Sequence, residues 1–244
     1  MSEPESPSRA PDSLIGGGWP LDVENPRPIR TFTPRYRVSD LTRRRLEDLL
    51  PAYRVEQLPL DPEREFGRLA PLVLEIGSGH GGAAIGYAAA HPDHDVLTAE
   101  VHLPGVVRML AVVQDQGLTN VRVYARDAME LLGGGIAPHS LRAVHLFFPD
   151  PWPKAKHAKR RFVQRRTIEA IAGVLEPGGE LLIGTDHPVY ADWTRDQLAA
   201  FGPGRVEQIE RPAWKDDDGF ERKGMAAGRP PLYLRVTFER CGWR

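Results

Sequence analysis

At 244 residues and a net charge of −1, the chain reads as one large domain or one domain with extensions, and it is not basic as a whole. Hydrophobic residues at 41% allow a real core, yet no apolar run approaches the roughly 18 residues of a membrane span. The start has no signal-peptide core, and one cysteine, Cys241, excludes an internal disulfide and a cysteine-based zinc site, so a cytoplasmic protein is expected.

Residues 1–26 are rich in Pro, Ser, Gly and Glu and are expected to be a disordered tail. Residues 27–66 read as an N-terminal extension before a core at 67–244. A basic stretch, Arg27, Arg30, Arg35, Arg37 and Arg43 to Arg45, reads equally well as a solvated face. A short helix is expected at 40–50, capped by Ser39 or Asp40.

From residue 72 onwards strands and helices alternate. Strands are expected at 72–76, 96–101, 121–125, 141–148 and 180–185. Helices are expected at 83–91, 104–116, 128–132, 162–175 and 188–201, and closing strands at 206–210 and 232–239 flank a polar loop. Repeated βα units imply a doubly wound, mostly parallel sheet with helices on both faces.

The loop Gly77-Ser78-Gly79-His80-Gly81-Gly82 satisfies G-x-G-x-x-G between a strand and a helix. By itself that pattern is shared by nicotinamide, flavin and S-adenosylmethionine proteins. Glu75 separates them, because a carboxylate two residues before the first glycine would repel a pyrophosphate but suits an ammonium and a sulfonium. Glu100, after the second strand, is placed for ribose hydroxyls, and Asp127, after the third, for an adenine amino group. Carboxylates at three successive strand ends suit S-adenosylmethionine. The structural alternatives are that Glu75 caps the loop, Asp127 caps the next helix and Glu100 pairs with an arginine.

The fourth strand runs into Phe148-Pro149-Asp150-Pro151-Trp152-Pro153-Lys154. Each proline fixes its own φ and biases the preceding residue towards an extended shape, so Asp150 is held rigidly at a strand's carboxyl end. Lys154, Lys156, Lys159, Arg160, Arg161, Arg165 and Arg166 follow, with no acid before Glu169. A fixed carboxylate beside a cationic patch points to chemistry on a nucleic acid. Trp152 reads as a packing residue or a base-stacking one. His80, His102 and His187 lie near the site, but scattered histidines without cysteines do not argue for a metal.

Six segments, LEIGSGHG at 74–81, AEVH at 99–102, RDAMELL at 126–132, FPDPWPK at 148–154, KRRFVQ at 159–164 and GTD at 184–186, occur in that order. Together they resemble the bacterial tRNA (guanine-N7-)-methyltransferase family. The resemblance implies a class I methyltransferase fold, Rossmann-like, with seven strands and an antiparallel last strand. It implies methyl transfer from S-adenosylmethionine, leaving S-adenosylhomocysteine, to N7 of guanosine 46 in the tRNA variable loop. By resemblance, Glu75, Glu100, Asp127 and Asp150 would hold the cofactor, beside Gly77 and Gly79 of the open loop; Asp150 is the expected catalytic carboxylate, its negative charge meeting the positive charge that grows on the guanine. Lys154, Asp186, Phe220 and Glu221 would contact substrate, and Lys156, His157, Lys159, Arg160 and Arg161 would engage RNA. The family carries Thr, a basic residue, Phe and Glu before the last strand, whereas this chain has Asp218, Gly219, Phe220 and Glu221; Pro153 replaces a frequent histidine. No membrane and no obligate protein partner are expected, and the enzyme would be a monomer or homodimer. The nearest rival is an enzyme that methylates an exocyclic amine of RNA or DNA. A silent RNA-binding protein on the same fold is the other rival, disfavoured because Glu75, Glu100 and Asp127 are all present.

Overall fold

The computed structural model describes residues 38–202, 204–215 and 219–238. The tail at 1–26, the arginines from Arg27 to Arg37, Asp216 to Asp218, Glu239 and Cys241 lie outside the described residues. Helix α1 is Asp40–Tyr53; Ser39 caps it by accepting from the Thr42 N–H at 3.1 Å. It passes the expected end at 50 and carries Pro51 within its last turns. Helix α2, Pro62–Phe66, was not expected, although Asp61 before Pro62 is a cap-and-first-turn signal.

The core then alternates: β1 Leu72–Ile76, α3 Gly82–Ala90, β2 Asp95–Ala99, α4 Leu103–Asp115, β3 Val121–Tyr124, the single turn α5 Ala128–Glu130, and β4 Leu141–Phe147. A 3-10 turn, Ala155–Arg160, leads to α6 Arg165–Val174, β5 Leu175–Thr185, α7 Pro188–Phe201, β6 Gly204–Ile209, α8 Gly219–Ala226 and β7 Leu232–Phe238. Helix α6 starts three residues later than expected. The Gln164 N–H donates to Thr167 Oγ1 at 3.0 Å, a capping box that fixes the start and leaves Phe162 and Val163 buried ahead of it. Helix α8 corrects the reading of that segment as a polar loop.

The sheet order is β3-β2-β1-β4-β5-β7-β6, with β7 antiparallel to both neighbours and the other adjacent pairs parallel. The doubly wound expectation and its antiparallel last strand are thus met. Leu72, Leu74 and Ile76 of β1 join the layer formed by α5, α6 and α7, while Val73 joins the layer of α1, α3 and α4. By alternation Glu75 shares the α3 and α4 face. The order reverses between β1 and β4, so a crevice opens where their carboxyl ends diverge. Among the described residues no helix is long and apolar enough to cross a membrane.

His145, in the middle of β4, is 1% exposed and stacks on Trp214 with ring centroids 5.0 Å apart. Its Nε2 has no hydrogen-bond partner, and burial lowers its pKa from the ordinary 6.5 to about 3. The unfolded chain therefore binds this proton first as pH falls, and stability is lost from about pH 6.5 downwards. Each unit below that is expected to cost up to ~1.4 kcal/mol from this residue. Thermal melts across this range should show a shallower acid slope in His145→Phe than in the unsubstituted protein; equal slopes would place the acid sensitivity elsewhere.

Candidate active site

The glycine loop leaves β1 through three left-handed residues, Gly77, Gly79 and Gly81, with φ of 72°, 57° and 82°. Side chains would strain each position. The Gly77 N–H donates to the Ala99 carbonyl at 2.8 Å, tying the loop to β2. Helix α4 approaches so closely that a Cβ on Gly105 would lie 2.4 Å from the Gly79 carbonyl oxygen. The loop is thus held by backbone contacts and keeps a surface open to a ligand.

Glu75 is buried beneath this loop, 3% exposed, on an otherwise apolar strand. Glu100 is 8% exposed and accepts from the Gly79 N–H at 2.6 Å and the His102 N–H at 2.7 Å, one per carboxylate oxygen. These bonds lock the carboxylate at the end of β2, and each oxygen keeps a second lone pair for a hydroxyl donor. Among the described residues no arginine forms an ion pair with it, the pairing considered as its alternative. Asp127 does cap α5, accepting from the Met129 N–H at 2.9 Å through Oδ1. That capping orients the carboxylate at the end of β3.

Asp150 follows β4 in a turn of unusual backbone. Phe148 and Trp152, on either side of the Pro-Asp-Pro triplet, have φ of 48° and 40°. Non-glycine residues there cost of order 1–3 kcal/mol each, which surrounding contacts must offset. The Phe148 N–H donates to the Gly184 carbonyl at 2.8 Å. Arg161, 5% exposed, donates from Nε to the Pro151 carbonyl at 3.2 Å and from Nη2 to the Trp152 carbonyl at 3.1 Å. The Asp150 side chain opens to solvent. Even so, partial desolvation raises its carboxyl above the usual range, Arg160 opposing and Glu100 adding to the rise. Asp150 follows β4 and Glu100 follows β2, so both carboxylates stand at carboxyl ends of the parallel strands.

The expected RNA residues divide. Lys154, Lys156 and Lys159 are exposed, whereas Arg161 points inward and pins the turn. Arg160 lies over the Trp152 ring, its Cζ 3.4 Å from the centroid, and His157 meets the same ring edge-on at 5.7 Å. Three neighbouring cations lower the His157 pKa, after desolvation as the larger cause. Trp152 is therefore packed among the basic residues.

The expected substrate residues divide as well. Asp186, after β5, receives Nε and Nη2 of Arg229 on Oδ2, at 3.2 and 3.0 Å. Glu221 is buried, and its Oε2 accepts from Lys215 Nζ at 3.3 Å and from the Tyr233 hydroxyl at 3.1 Å. Lys215 is itself 2% exposed, its Nζ 5.0 Å from the Phe148 ring centroid and 5.6 Å from that of Phe147. Glu221 thus braces the base of the Asp150 turn from behind. The side chain of Phe220 lies outside the described residues. Sequence reasoning missed Lys215, Arg229 and the inward role of Arg161. A basic residue followed by Asp216 to Asp218 reads as solvated, and nothing local marks it as buried.

Residues 69–224 match the model of the family described as "Putative methyltransferase". The tRNA (guanine-N(7)-)-methyltransferase of Alkalilimnicola ehrlichii is 45% identical over 224 residues, covering 86% of this chain and 93% of that protein. The chain belongs to this family. The enzyme of the same name from Burkholderia vietnamiensis is 38% identical, covering 92% of this chain and 91% of its own length. Among solved structures, the 16S rRNA methyltransferase KamB superposes with a TM-score of 0.54 at 17% identity, covering 76% of this chain and 96% of that one. At that identity the likeness concerns the fold, the class I methyltransferase sheet. Within the family, the glycine loop and the Asp150 turn flank the crevice between β1 and β4.

Proposed function

We propose that this chain is an S-adenosylmethionine-dependent methyltransferase that methylates N7 of guanosine 46 in tRNA. The observation that carries this is the Pro-Asp-Pro turn at the carboxyl end of β4, pinned by Arg161, with exposed lysines beginning four residues on. The 45% identity to a named tRNA (guanine-N(7)-)-methyltransferase supports it. The residues present fit the cofactor: a buried carboxylate under a loop without side chains suits its cationic amino-acid end, and Glu100 has lone pairs left for ribose. Glu75, Gly77, Gly79, Glu100 and Asp127 would hold it, with Asp150 at the open side.

Bound S-adenosylmethionine supplies a methyl group activated by its sulfonium. Guanine N7 carries an in-plane lone pair, so no general base is required to begin the attack. The protein's work is alignment, which can contribute ~7–11 kcal/mol, and electrostatics. Asp150 places negative charge where positive charge grows on the guanine ring. Asp186 accepts from guanine N1–H and the exocyclic amine, and this selects against adenine; Arg229 anchors its Oδ2. Lys154 draws in the adjacent phosphate. Extruding the base costs a few kcal/mol, which the exposed lysines offset through phosphate contacts. We expect the enzyme to work in the cytoplasm with its tRNA substrate, as a monomer or homodimer without an obligate partner.

Methyl transfer from labelled S-adenosylmethionine to unmodified tRNA, with nucleoside analysis, tests this reading. A 7-methylguanosine peak is expected, and a methylated exocyclic amine in its place would overturn it. Replacing Lys159 and Arg160 together with alanine is expected to weaken tRNA binding and to reduce the slope of log K against log salt by about 1–2. An unchanged slope would make this run an ordinary solvated face.

A further inference from the structure

A groove of about 370 Å³ lies between the start of α6 and the side of α7, and of its lining residues Lys159 alone has a functional role above. Lys159, Gln164, Arg165, Arg166, Trp193 and Gln197 line it, with Glu169 as its one carboxylate. Glu169 is already paired with Arg165, whose Nε lies 2.8 Å from it, so the groove keeps a positive balance. Trp193 is fixed on two sides. Its indole N–H donates to the Val163 carbonyl at 2.6 Å, and the Arg161 guanidinium carbon lies 4.8 Å from its ring centroid. The indole is thus a rigid, partly exposed plane with cations around it.

A flat ring flanked by cations matches the two ends of an unpaired nucleotide, since bases of any identity stack on aromatic planes and phosphates seek lysine and arginine. Arg161 adds the decisive link. The guanidinium that lies over Trp193 also donates to the Pro151 and Trp152 carbonyls, so one buried side chain sets both the groove and the turn that carries Asp150. The groove and the Asp150 turn therefore share one buried support. An acidic peptide would use the cations and leave the plane idle.

We propose that this groove holds an unpaired nucleotide flanking the methylated guanosine, its base stacked on Trp193 and its phosphate held by Arg165 and Lys159. The proposal rests on the tRNA reading above and extends it from Lys159 to Arg165 and Trp193, which carried no expected contact. It makes Trp193 a positioning residue for substrate, with no part in the chemistry.

The test uses the full chain, an unmodified tRNA transcript and labelled S-adenosylmethionine. Trp193→Leu is expected to raise KM for tRNA by ~10-fold, with kcat and cofactor affinity unchanged, and Trp193→Phe to restore most of the loss. Arg165→Gln is expected to lower the salt slope of tRNA binding by about 1, as one lost phosphate contact requires. Unaltered KM in a folded Trp193→Leu protein together with an unaltered slope in Arg165→Gln would overturn the proposal. Should Trp193→Leu fail to fold, the surface change Arg165→Gln decides alone. No methyl transfer by the unsubstituted protein would sink the enzyme reading instead, and filter-binding of tRNA with the same variants would still decide the groove.

Discussion

Asp150→Ala is expected to abolish methyl transfer, lowering kcat by ~100-fold or more, with cofactor affinity at most partly reduced. The magnitude follows from removing a preorganised charge aimed at developing charge, typically ~2.7–4 kcal/mol of transition-state stabilisation. Asp150→Asn sharpens the test, because it keeps the shape of the turn between Pro149 and Pro151 and removes only the charge. The two variants should therefore be similarly impaired. In the unsubstituted protein the raised carboxyl pKa has a further consequence: below that raised value the residue is protonated and neutral. Activity should fall on the acid side at a pH above the ordinary carboxylate range. Full activity in Asp150→Ala, measured as labelled methyl incorporated into tRNA, would remove Asp150 from the mechanism.

Glu221→Ala is expected to be the most destabilising single change at the rear of the site. It takes from the Lys215 ammonium, whose side chain is 0% exposed, the carboxylate that lies 3.3 Å from it among three aromatic rings. Removing one member of a buried pair typically costs ~3–5 kcal/mol. For a protein of this size that corresponds to a fall in Tm of roughly 6–20 °C. Replacing both members, Lys215→Met with Glu221→Leu, should recover much of the loss, since both buried charges go and Arg211, 3.5 Å from Glu221 Oε1, is exposed enough for water to solvate it. A thermal melt of the single variant within ~1 kcal/mol of the unsubstituted protein would show that this pair does not brace the turn. Activity is expected to fall with stability, because Phe148, the first residue of the Asp150 turn, packs against Lys215.

By itself the sequence determined the alternating core from β1 to β7 and the crevice they share. Apolar runs of strand length, helical spacing and glycine or proline punctuation are local signals, and the observed boundaries of β1 and α7 match them residue for residue. Glu75, Glu100, Asp127 and Asp150 were legible for the same reason, since each stands in or just after a readable strand. The tertiary structure decided which charged residues face inward. Arg161, within a run of cations, lies under the Pro-Asp-Pro turn because the two carbonyls there need donors. Lys215 and Glu221 are buried because β7 brings Tyr233, and β4 brings Phe147 and Phe148, to the same point. Asp186 meets Arg229 because α8 returns the chain across 43 positions. Such burial depends on neighbours far apart in the chain, and a charged side chain carries no local mark of whether water or a buried partner will solvate it.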